Sequence, residues 1–569
     1  MKRWHLAPGY DYGNDLPYSP IILQLLYNRG LQTEEEIRDF FAPESSDHDP
    51  FLFRDMGKVT EMLISRIKVR EKLAIFGDYD ADGVTSSSIM AECLRALGAQ
   101  VEIYIPDRVK EGYGLNGPAL ERLAASGVKL VMTVDNGIRN RKEVEYGQSL
   151  GLDMIITDHH VLPEDRGELP PCPVINPADP EDGYPWKKLC GAGVAYKVAQ
   201  ALVSRSTLSE EKKKAILDGL LDLAAIGTIG DLVPLLGENR LIAQQGLRMI
   251  NSRPRLGLRE LMANAKIGNG QPLEAWNVSW QIVPRLNAAS RMEHADTAVS
   301  LILSKDAAEA RELARDLNEK NAKRQAMAED IFRQADSLID DKQANILIAV
   351  SPPDVIWNEG LIGLAAGKLS EKYYRPALVI ARTEEGGFKS SGRSIEEFNL
   401  IEAISGCSAH LSKYGGHPMA CGFSLEGENN LSAFIAAIRE KANHSLVGQD
   451  ISPKLEIDGE ISLDEIDEAL VKSIAALEPF GQDNLKPVFM SSGLRVVDRM
   501  ALGNGGQHLK LRLCSVSGRV FPALSFSAPE NFMAVSIGDT LDLAYSLDTN
   551  HFNGRTEIQL KIVDIKINV

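Results

Sequence analysis

The fold is decided by the stretch Leu73-Ala74-Ile75-Phe76-Gly77-Asp78-Tyr79-Asp80-Ala81-Asp82-Gly83. A short apolar run with the composition of a buried strand ends at Gly77, and carboxylates follow at alternate positions. If the backbone stays extended there, Asp78, Asp80 and Asp82 project to one side of the chain. Three negative charges on one face repel one another. Taken alone, the pattern fits a Mg²⁺ or Mn²⁺ site and a solvated acidic turn equally well, and the other motifs decide between them.

Apolar strands and helical segments alternate around this stretch. The pattern predicts strands at residues 72–77, 101–106, 129–134 and 154–157, with helices at residues 86–97, 118–125 and 143–150 between them. Such alternation is typical of an α/β fold, in which helices cover both faces of a parallel sheet. Ligands of these sheets bind beyond the carboxyl ends of the strands.

Acidic motifs follow three of the predicted strands at that edge. After the first motif come Asp135-Asn136-Gly137 and Asp158-His159-His160. This convergence predicts a metal site at one edge of one sheet, and His159 adds a nitrogen ligand that Mn²⁺ accepts. A fourth candidate is Asp231, which lies in a Gly- and Pro-containing apolar loop after a helical segment at residues 216–226. Its alternative interpretation is a turn or capping aspartate.

Composition limits the class of protein. The 569 residues are enough for roughly three or four domains. A net charge of −17 argues against a general nucleic-acid-binding surface, so any DNA or RNA site must be local. The six cysteines are scattered and form no CxxC motif, which favours reduced thiols over a zinc site or disulfides. We find no signal-peptide core and no bilayer-spanning segment, and therefore expect a cytoplasmic protein that does not bind membranes.

The middle of the chain predicts a connecting helix and a second α/β unit. Residues 304–340 contain neither Gly nor Pro, and as one helix they would measure roughly 50 Å. We interpret the basic residues of this helix as a solvated face rather than a DNA track; they are Arg311, Arg315, Lys320, Lys323 and Arg324. The second unit has predicted strands at residues 346–350, 377–381 and 388–393, and a helix at residues 360–373.

The two ends of the chain differ in character. Near the N-terminus, residues 33–41 predict one helix with Thr33 as its N-cap. After about residue 454, short alternating strands predict a small barrel, in which residues 508–513 place leucines on one face and basic side chains on the other. The last strand, at residues 558–567, changes phase at Ile562-Val563, which indicates a bulge. A barrel with a basic face suits an OB-fold that binds single strands.

Four motifs of the first half resemble the DHH phosphoesterase superfamily in their order and spacing. They are GDYDADG (77–83), TVDNG (133–137), TDHH (157–160) and GTIGDLVPL (227–235). In the second half, KSSGRS (389–394) and YGGHPMA (414–420) resemble phosphate-binding motifs of the companion DHHA1 domain. The nearest family is that of the RecJ single-stranded-DNA exonucleases. Gly230, Ser290 and Asn358 depart from the alanine, glycine and histidine usual in that pattern, and we place no weight on Asn358.

The resemblance implies an architecture of two α/β lobes, a DHH parallel sheet and a DHHA1 domain, joined by a long helix and followed by a C-terminal OB-fold β-barrel. The expected boundaries are an N-terminal segment at 1–50, the DHH catalytic domain at 51–300, the connecting helix at 301–342, the DHHA1 domain at 343–448 and the OB-fold domain at 452–569.

The resemblance also implies roles for individual residues. Two Mn²⁺ or Mg²⁺ ions would be bridged by Asp135, and their remaining ligands would be Asp78, Asp80, Asp82, His159 and Asp231. Of these residues, Asp80, Asp82, Asp135 and His159 would be catalytic together with His160, which would contact the scissile phosphate. Asp158 would orient His159. The phosphate at the 5′ end would be held by Ser391, Arg393, Gly415, Gly416 and His417, and Arg285 and Asn287 would line the DNA path.

The activity implied is 5′-to-3′ hydrolysis of single-stranded DNA to mononucleotides in DNA repair and recombination, with single-strand-binding protein and a helicase as partners. One alternative is a DHH phosphodiesterase that acts on short oligonucleotides or cyclic dinucleotides, but the additional C-terminal β domain favours a polymer. Another alternative is a non-catalytic DNA-binding scaffold, for which eroded acidic motifs are expected. Here every acidic motif is intact.

Overall fold

The structure is a computed structural model that describes residues 2–10, 16–108, 110–268, 270–503, 505–552 and 555–568. Its strands form a two-stranded sheet, two five-stranded sheets and one six-stranded sheet. None of the helices in this described part of the chain combines the length and the hydrophobicity needed to cross a lipid bilayer.

The N-terminal segment contains one strand and two helices: β1 (Arg3–Leu6), α1 (Pro20–Asn28) and α2 (Glu34–Phe41). Thr33 caps α2 as predicted, because its hydroxyl accepts from Glu36 N at 3.2 Å while the Glu36 carboxylate accepts from Thr33 N at 2.9 Å. The apolar faces of both helices pack into the core of the C-terminal barrel, and β1 pairs in parallel with β12 (Lys454–Ile457). The segment therefore belongs structurally to the far end of the chain.

The first lobe opens with a parallel sheet. Its elements are α3 (Met56–Lys68), β2 (Lys72–Phe76), α4 (Ala81–Ala96), β3 (Gln100–Tyr104), α5 (Gly117–Ala125), β4 (Val128–Thr133), α6 (Arg141–Ser149), β5 (Asp153–Thr157) and β6 (Val174–Ile175). The strand order is β3-β2-β4-β5-β6, and every pair is parallel. The four predicted strands are confirmed, and their carboxyl ends meet at one edge of the sheet.

One prediction in this sheet is wrong. We expected an extended backbone through residues 78–82 and a helix from residue 86, whereas α4 begins at Ala81. The cause is Asp80, whose Oδ1 accepts hydrogen bonds from Asp82 N at 2.9 Å and Gly83 N at 3.1 Å and so caps the helix. Asp82 consequently lies in the first helical turn. The three aspartates approach the same space from different elements: Asp78 follows a strand, Asp80 caps a helix, and Asp82 belongs to that helix.

Helices complete the first lobe and lead to the second. They are α7 (Gly191–Ser204), α8 (Glu210–Asp218), α9 (Leu221–Gly230), α10 (Gly237–Ser252), α11 (Leu256–Ala265), α12 (Ala275–Asn277), a π-helical turn (Val278–Ile282), α13 (Val283–Met292), α14 (Asp296–Leu303) and α15 (Ala307–Ser337). The segment predicted as one helix at residues 216–226 is divided between α8 and α9. The long helix α15 is confirmed, and it packs on α11 and α13 of the first lobe and on α16 of the second.

The second lobe has a mixed sheet. Its elements are β7 (Leu347–Val350), α16 (Glu359–Tyr373), β8 (Ala377–Arg382), β9 (Gly387–Arg393), α17 (Leu400–Ser405), β10 (Lys413–His417), β11 (Ala420–Glu426) and α18 (Glu428–Leu446). The strand order is β10-β11-β9-β8-β7, so β10 lies at an edge and exposes every one of its residues.

A closed barrel forms the C-terminal domain. Its elements after β12 are β13 (Gly459–Glu460), α19 (Glu468–Ala475), β14 (Phe489–Leu502), β15 (His508–Cys514), β16 (Val520–Ser525), α20 (Glu530–Met533), β17 (Thr540–Phe552) and β18 (Arg555–Asn568). Pairing of β14 with both β15 and β17 closes a five-stranded barrel, as the OB-fold prediction requires. The predicted bulge is confirmed, because Ala544 pairs with Asp564 while Tyr545 pairs with Ile562 and leaves Val563 extra.

Candidate metal centre

The metal centre lies at the carboxyl edge of the first sheet. Asp78 lies two residues after the end of β2, Asp80 caps α4, and Asp82 occupies the first turn of that helix. Both oxygens of Asp82 also accept from the N-terminus of α7, with Gly191 N at 2.6 Å and Ala192 N at 2.8 Å. Backbone donors thus fix the position of the Asp82 carboxylate at the N-terminus of α7.

Asp135 follows β4 in an unusual backbone conformation. Its φ is +64°, a left-handed value that non-glycine residues adopt rarely and that marks functional sites when the surrounding structure holds it. A Cβ atom at Gly191 would lie 2.6 Å from Asp135 Cβ, so only glycine permits this approach of α7. The strained turn directs the Asp135 carboxylate toward the other acidic side chains.

Asp231 reaches the centre from a helix instead of a strand. It terminates α9, which packs on α4 and α7, and Asp231 N donates to Gly227 O at 2.8 Å. At Gly227 a Cβ would lie 2.3 Å from the Ala192 side chain and 2.6 Å from Asp82 Oδ1. The absence of a side chain at Gly227 therefore lets α9 approach closely and brings Asp231 to the edge of the sheet.

The ligand atoms converge in overlapping groups. The groups whose atoms lie within 4.8 Å of one another are Asp78, Asp80 and Asp135; Asp82, His159 and Asp231; and Asp135, His159 and His160. His159 Nε2 is 3.0 Å from Asp135 Oδ1, 3.7 Å from Asp231 Oδ2 and 3.8 Å from Asp82 Oδ2. Asp135 and His159 thus lie where the first two groups meet, a layout suited to two adjacent cations.

The unpaired atoms of this centre fit a metal. Asp78 Oδ1, Asp135 Oδ1 and His159 Nε2 are buried and make no hydrogen bond of acceptable geometry among the described residues, although His159 Nε2 and Asp135 Oδ1 are only 3.0 Å apart. Burial lowers the pKa of His159 to about 4, so the ring is neutral near pH 7 and offers a lone pair. Carboxylate oxygens with one imidazole nitrogen are the donor set that Mn²⁺ and Mg²⁺ sites use. The residues present therefore fit divalent cations.

The carboxylates of this centre repel one another. Burial, together with the charges of neighbouring aspartates, raises the pKa of Asp78, Asp135 and Asp231 well above the ordinary value. The same two causes raise the pKa of Asp82 to about 6. Close carboxylates that resist ionisation are stabilised when a cation binds between them.

This repulsion predicts a pH-dependent response to metal. A carboxyl group whose pKa is higher in the folded than in the unfolded state destabilises the fold as pH rises, because the unfolded chain releases the proton more readily. In chelator we expect stability to fall as pH rises from about 4 through about 6, the pKa of Asp82, and further as the other raised carboxyl groups ionise, and we expect the rise in melting temperature caused by Mn²⁺ to grow in the same direction. Thermal melts with Mn²⁺ and with EDTA across this range measure the effect. A rise in melting temperature that does not vary with pH would contradict it.

Asp158 and His160 form a second unit beside the ligands. We expected Asp158 to orient the His159 ring. Its Oδ1 instead bonds His160 Nδ1 at 2.7 Å, and it meets His159 through the backbone N–H, also at 2.7 Å. The physical reason is the turn after β5, in which the carboxylate accepts successive backbone N–H groups and so brings the ring of the residue two positions later into reach. Tyr113, which the sequence did not suggest, places its hydroxyl 3.1 Å from His160 Nδ1 and donates to Asp135 O at 3.0 Å.

The pKa values of His159 and His160 are shifted in opposite directions. Burial alone would lower the pKa of His160, but the hydrogen bond and the charge of Asp158 outweigh burial and raise it to about 9. Near pH 7 His160 is therefore protonated while His159 is neutral. One imidazole suits metal ligation, and the other presents a cation and a donor to an anion.

The predicted DNA-path residues both lie on α13. Asn287 Oδ1 accepts from Ala81 N at 2.7 Å, so its amide oxygen binds the start of α4 beside the metal centre. Arg285 donates to Gln281 O at 2.6 Å and to Asn318 Oδ1 at 3.1 Å. Asn287 thus binds the N-terminus of α4, the helix that Asp80 caps, while Arg285 borders the space between α13 and α15.

The predicted phosphate-binding residues of the second lobe share one face of its sheet. Across β9, β11 and β10, Arg393 aligns with Ala420 and His417, and Ser391 aligns with Gly422 and Gly415. Residues two positions apart face the same side of a strand, so Ser391 and Arg393 of β9 and Gly415 and His417 of β10 share one face of the sheet. Arg393 Nη1 donates to Ser391 Oγ at 3.1 Å. A Cβ at Gly363 of α16 would lie 2.9 Å from that oxygen, so glycine keeps the space beside it open.

The three departures from the family pattern have local explanations. Asn358 caps α16, where its Oδ1 accepts from Gly360 N at 2.9 Å. Ser290 is buried and donates to Asn287 O at 3.3 Å. An alanine Cβ at position 230 would lie 2.8 Å from the Val283 side chain, and Gly230 avoids this contact.

A cluster of arginines between the lobes was missed from the sequence. Burial and the charges of Arg108, Arg324 and Arg393 lower the pKa of Arg291 to about 10, while Asp80 acts in the opposite direction. Burial and Arg285 likewise lower the pKa of Arg324, so our interpretation of Arg324 as part of a solvated face is wrong. Among the described residues the buried Nε atoms of Arg291 and Arg324 have no hydrogen-bond partner. Mutually repelling cations with free donors suit a polyanion.

Three family models match separate segments of the chain. The DHH family, N-terminal domain, matches residues 72–228, the DHHA1 domain matches residues 343–444, and the RecJ OB domain matches residues 457–564. The two lobes and the acidic centre therefore define a protein of the DHH class with a DHHA1 domain and an OB-fold.

Curated relatives and solved structures extend the match over the whole chain. The single-stranded-DNA-specific exonuclease RecJ of Bacillus subtilis (strain 168) is 38% identical over 579 residues, covering 100% of this chain and 71% of the relative. The protein of that name from Haemophilus influenzae is 31% identical and covers 99% of each chain. The crystal structure of RecJ from Thermus thermophilus in complex with Mn²⁺ has a TM-score of 0.82 at 28% identity, covering 99% of this chain and 79% of that chain. The chain belongs to the RecJ family.

Proposed function

We propose that the protein is a two-metal-dependent exonuclease that hydrolyses single-stranded DNA from 5′ to 3′ into mononucleotides, with Mn²⁺ or Mg²⁺ as cofactor. The observation that carries the proposal is the pair of ligand groups that meet at Asp135 and His159. Two RecJ crystal structures with similar folds contain Mn²⁺ and Mg²⁺, at TM-scores of 0.82 and 0.77. The intact acidic set favours catalysis over a purely structural scaffold.

We assign the first ion group to Asp78, Asp80 and Asp135 and the second to Asp82, His159 and Asp231, with Asp135 shared. Bound divalent ions supply Lewis-acid stabilisation of the phosphoryl oxygens and lower the pKa of a coordinated water. The protein's own contribution is to hold these carboxylates rigidly from β2, α4, β4 and α9. His160 then donates a hydrogen bond from its protonated ring to a non-bridging oxygen of the scissile phosphate, where negative charge grows in the transition state.

Asp158→Asn tests the role of His160. Without the carboxylate, burial lowers the pKa of His160, so the ring loses its proton at a lower pH. We expect turnover near pH 8 to fall about 10- to 100-fold, and the alkaline limb of the pH–rate profile to move to lower pH. Histidine NMR titration measures the pKa directly. Asp165→Asn, in an exposed loop, is the control. An unchanged pH profile in Asp158→Asn would refute the assignment.

The second lobe gives the reaction its polarity. Arg393 and Ser391 on β9, with the exposed backbone of Gly415 and Gly416 and the His417 ring on β10, form an anion site for a terminal 5′ phosphate. The arginines of α13 and α15 lie between this site and the metal centre and hold the strand's backbone. Because the total charge is −17, attraction of DNA is confined to this groove.

One digestion experiment tests the function. A 5′-phosphorylated, 3′-labelled single strand, the matching duplex and a dinucleotide are incubated with Mn²⁺, Mg²⁺ or EDTA. We expect mononucleotides released from the 5′ end of the single strand with metal only. Preferential turnover of the dinucleotide would favour the short-oligonucleotide phosphodiesterase, and binding without hydrolysis would favour the scaffold.

The proposed function also implies protein partners and a cellular location. Single-strand-binding protein and a helicase are the partners we expect, because both supply the single strands that the groove accepts, and DNA repair and recombination are the processes that use them. We place the protein in the cytoplasm with the DNA. All six cysteines are free thiols, which suits a reducing compartment.

A further inference from the structure

Two tryptophan rings lie uncovered on the first lobe. Trp276 is 56% exposed and Trp280 is 68% exposed. All five tryptophans are in the described part of the chain, and the other three are at least half-buried. Exposure of such large apolar rings is unfavourable in water, and exposed aromatic groups commonly mark binding surfaces.

The helical turn that carries these rings is anchored in the first lobe by apolar side chains on its inner face. Ala275, Val278 and Ile282 are buried in the core of the lobe, so Trp276 and Trp280 are held on the opposite, outer face. The turn from Val278 to Ile282 is π-helical, and Val283 N donates to Val278 O. Single π-turns are rare and frequently accompany functional sites.

The same turn leads into α13, whose first residue contacts the segment that carries a candidate metal ligand. Val283, the first residue of α13, packs against Gly230, which precedes the candidate ligand Asp231. The exposed side chain of Leu232 follows that ligand. Arg285 Nη1 donates to Gln281 O at 2.6 Å, which brings a guanidinium to the residue next to Trp280. An apolar surface and a cation thus lie together beside the centre.

Helix α13 sets the order of these features along a bound strand. Arg291 donates to Gly360 O of the second lobe at 2.7 Å, and Asn287 contacts the start of α4 at the metal centre. Trp280 and Trp276 lie beyond Asn287 in the direction away from the second lobe, at roughly 10 Å and 16 Å for a rise of 1.5 Å per residue. If the 5′ phosphate sits on the second lobe, the tryptophans follow the scissile phosphate on its 3′ side.

We propose that Trp276 and Trp280 form a stacking platform for unpaired bases on the 3′ side of the scissile phosphate. The proposal rests on the proposed function for the direction of the strand. Aromatic faces beside a basic groove are how proteins hold single strands without reading sequence, since every base offers a π-face. Paired bases of a duplex cannot turn onto the rings, so the platform also contributes to single-strand preference.

Binding in the presence of EDTA tests the platform without requiring hydrolysis. The probe is a 5′-phosphorylated oligothymidylate of about 12 nucleotides, a length within the range that single-strand sites occupy. We expect it to quench the tryptophan fluorescence of the wild-type protein. We also expect Trp276→Ala and Trp280→Ala each to raise its Kd about 5- to 150-fold, with most of the affinity regained in the phenylalanine variants. Tyr146→Ala, an exposed aromatic position on α6, is the control.

Turnover separates this proposal from the proposed function. With Mn²⁺ we expect the alanine variants to hydrolyse the oligothymidylate with a raised KM and little change in kcat. Unchanged Kd and unquenched fluorescence, in a wild-type protein that degrades single strands, would overturn the platform alone. A wild-type protein that binds but does not hydrolyse the strand would instead overturn the proposed function. A change of oligomeric state in the alanine variants with unchanged Kd would assign the rings to a contact between copies and overturn the platform.

Discussion

Asp135→Asn is expected to reduce hydrolysis of single-stranded DNA by about 10³-fold or more, since loss of the proposed shared ligand forfeits several kcal/mol of transition-state stabilisation. Asparagine is the suitable replacement because it tolerates the left-handed backbone that Asp135 adopts, at a φ of +64°. The change therefore removes the charge and keeps the turn. Calorimetric titration with Mn²⁺ is expected to show weaker binding and a lower stoichiometry.

The same variant is expected to be more stable than the wild type in chelator. Burial and the charges of Asp82, Asp80, Asp78 and Asp231 raise the pKa of Asp135, so its ionised form destabilises the free fold. An amide at this position removes that repulsion. Asp483→Asn is a matched control, because Asp483 is exposed, has a φ of +57° and belongs to none of the candidate ligand groups. An Asp135→Asn protein with wild-type turnover would refute the assignment, and one with reduced stability in EDTA would refute its electrostatic basis.

Much of the metal centre was predictable because two rules combine. Parallel strands end at one edge, and acidic side chains placed after those ends must meet there. These two rules locate Asp78, Asp135 and His159 correctly from the sequence. Asp231 was harder, because its approach depends on the packing of α9 at Gly227, which spacing does not express.

The conformation of the first motif was not predictable from alternation alone. Carboxylates at every second position satisfy a strand, yet an aspartate also caps helices well, and here the cap at Asp80 determines the conformation. The partner of Asp158 was missed for a related reason, since an aspartate in a turn binds nearby backbone N–H groups before it reaches a distant ring. In both cases local hydrogen bonding overrides the pattern.

The N-terminal segment and Arg324 show two further limits. Pairing of β1 with β12 joins residues that lie more than four hundred positions apart, and sequence periodicity carries no information on such pairing. For Arg324 a signal did exist. Leu317 and Ile331 are buried on α15, and Arg324 lies seven residues from each, so it falls on the same side of the helix and is half-buried. Its charge suggested solvent, whereas its position placed it in the groove.

The double variant Arg291→Met/Arg324→Met is expected to weaken binding of single-stranded DNA more than about 10²-fold, because a hydrogen bond to a charged group contributes about 1.5–3 kcal/mol and two arginines are lost. The slope of log Kd against log salt concentration should fall by about 2, one for each lost phosphate contact. Fluorescence anisotropy at several salt concentrations measures both quantities. Methionine retains the unbranched stem of the side chain and suits a half-buried position on α15.

Arg311→Met on the same helix is the matched control, since its side chain is 72% exposed and pairs with Glu260 at 3.4 Å. We expect no change in affinity or salt slope for this variant. Arg324→Met alone should melt at or above the wild-type temperature, because burial and the neighbouring Arg285 charge disfavour the guanidinium in the free protein. Equal effects of the Arg324 and Arg311 changes would mean that general charge attracts DNA. A loss confined to Arg291 and Arg324 would mean that the groove between the lobes holds the strand.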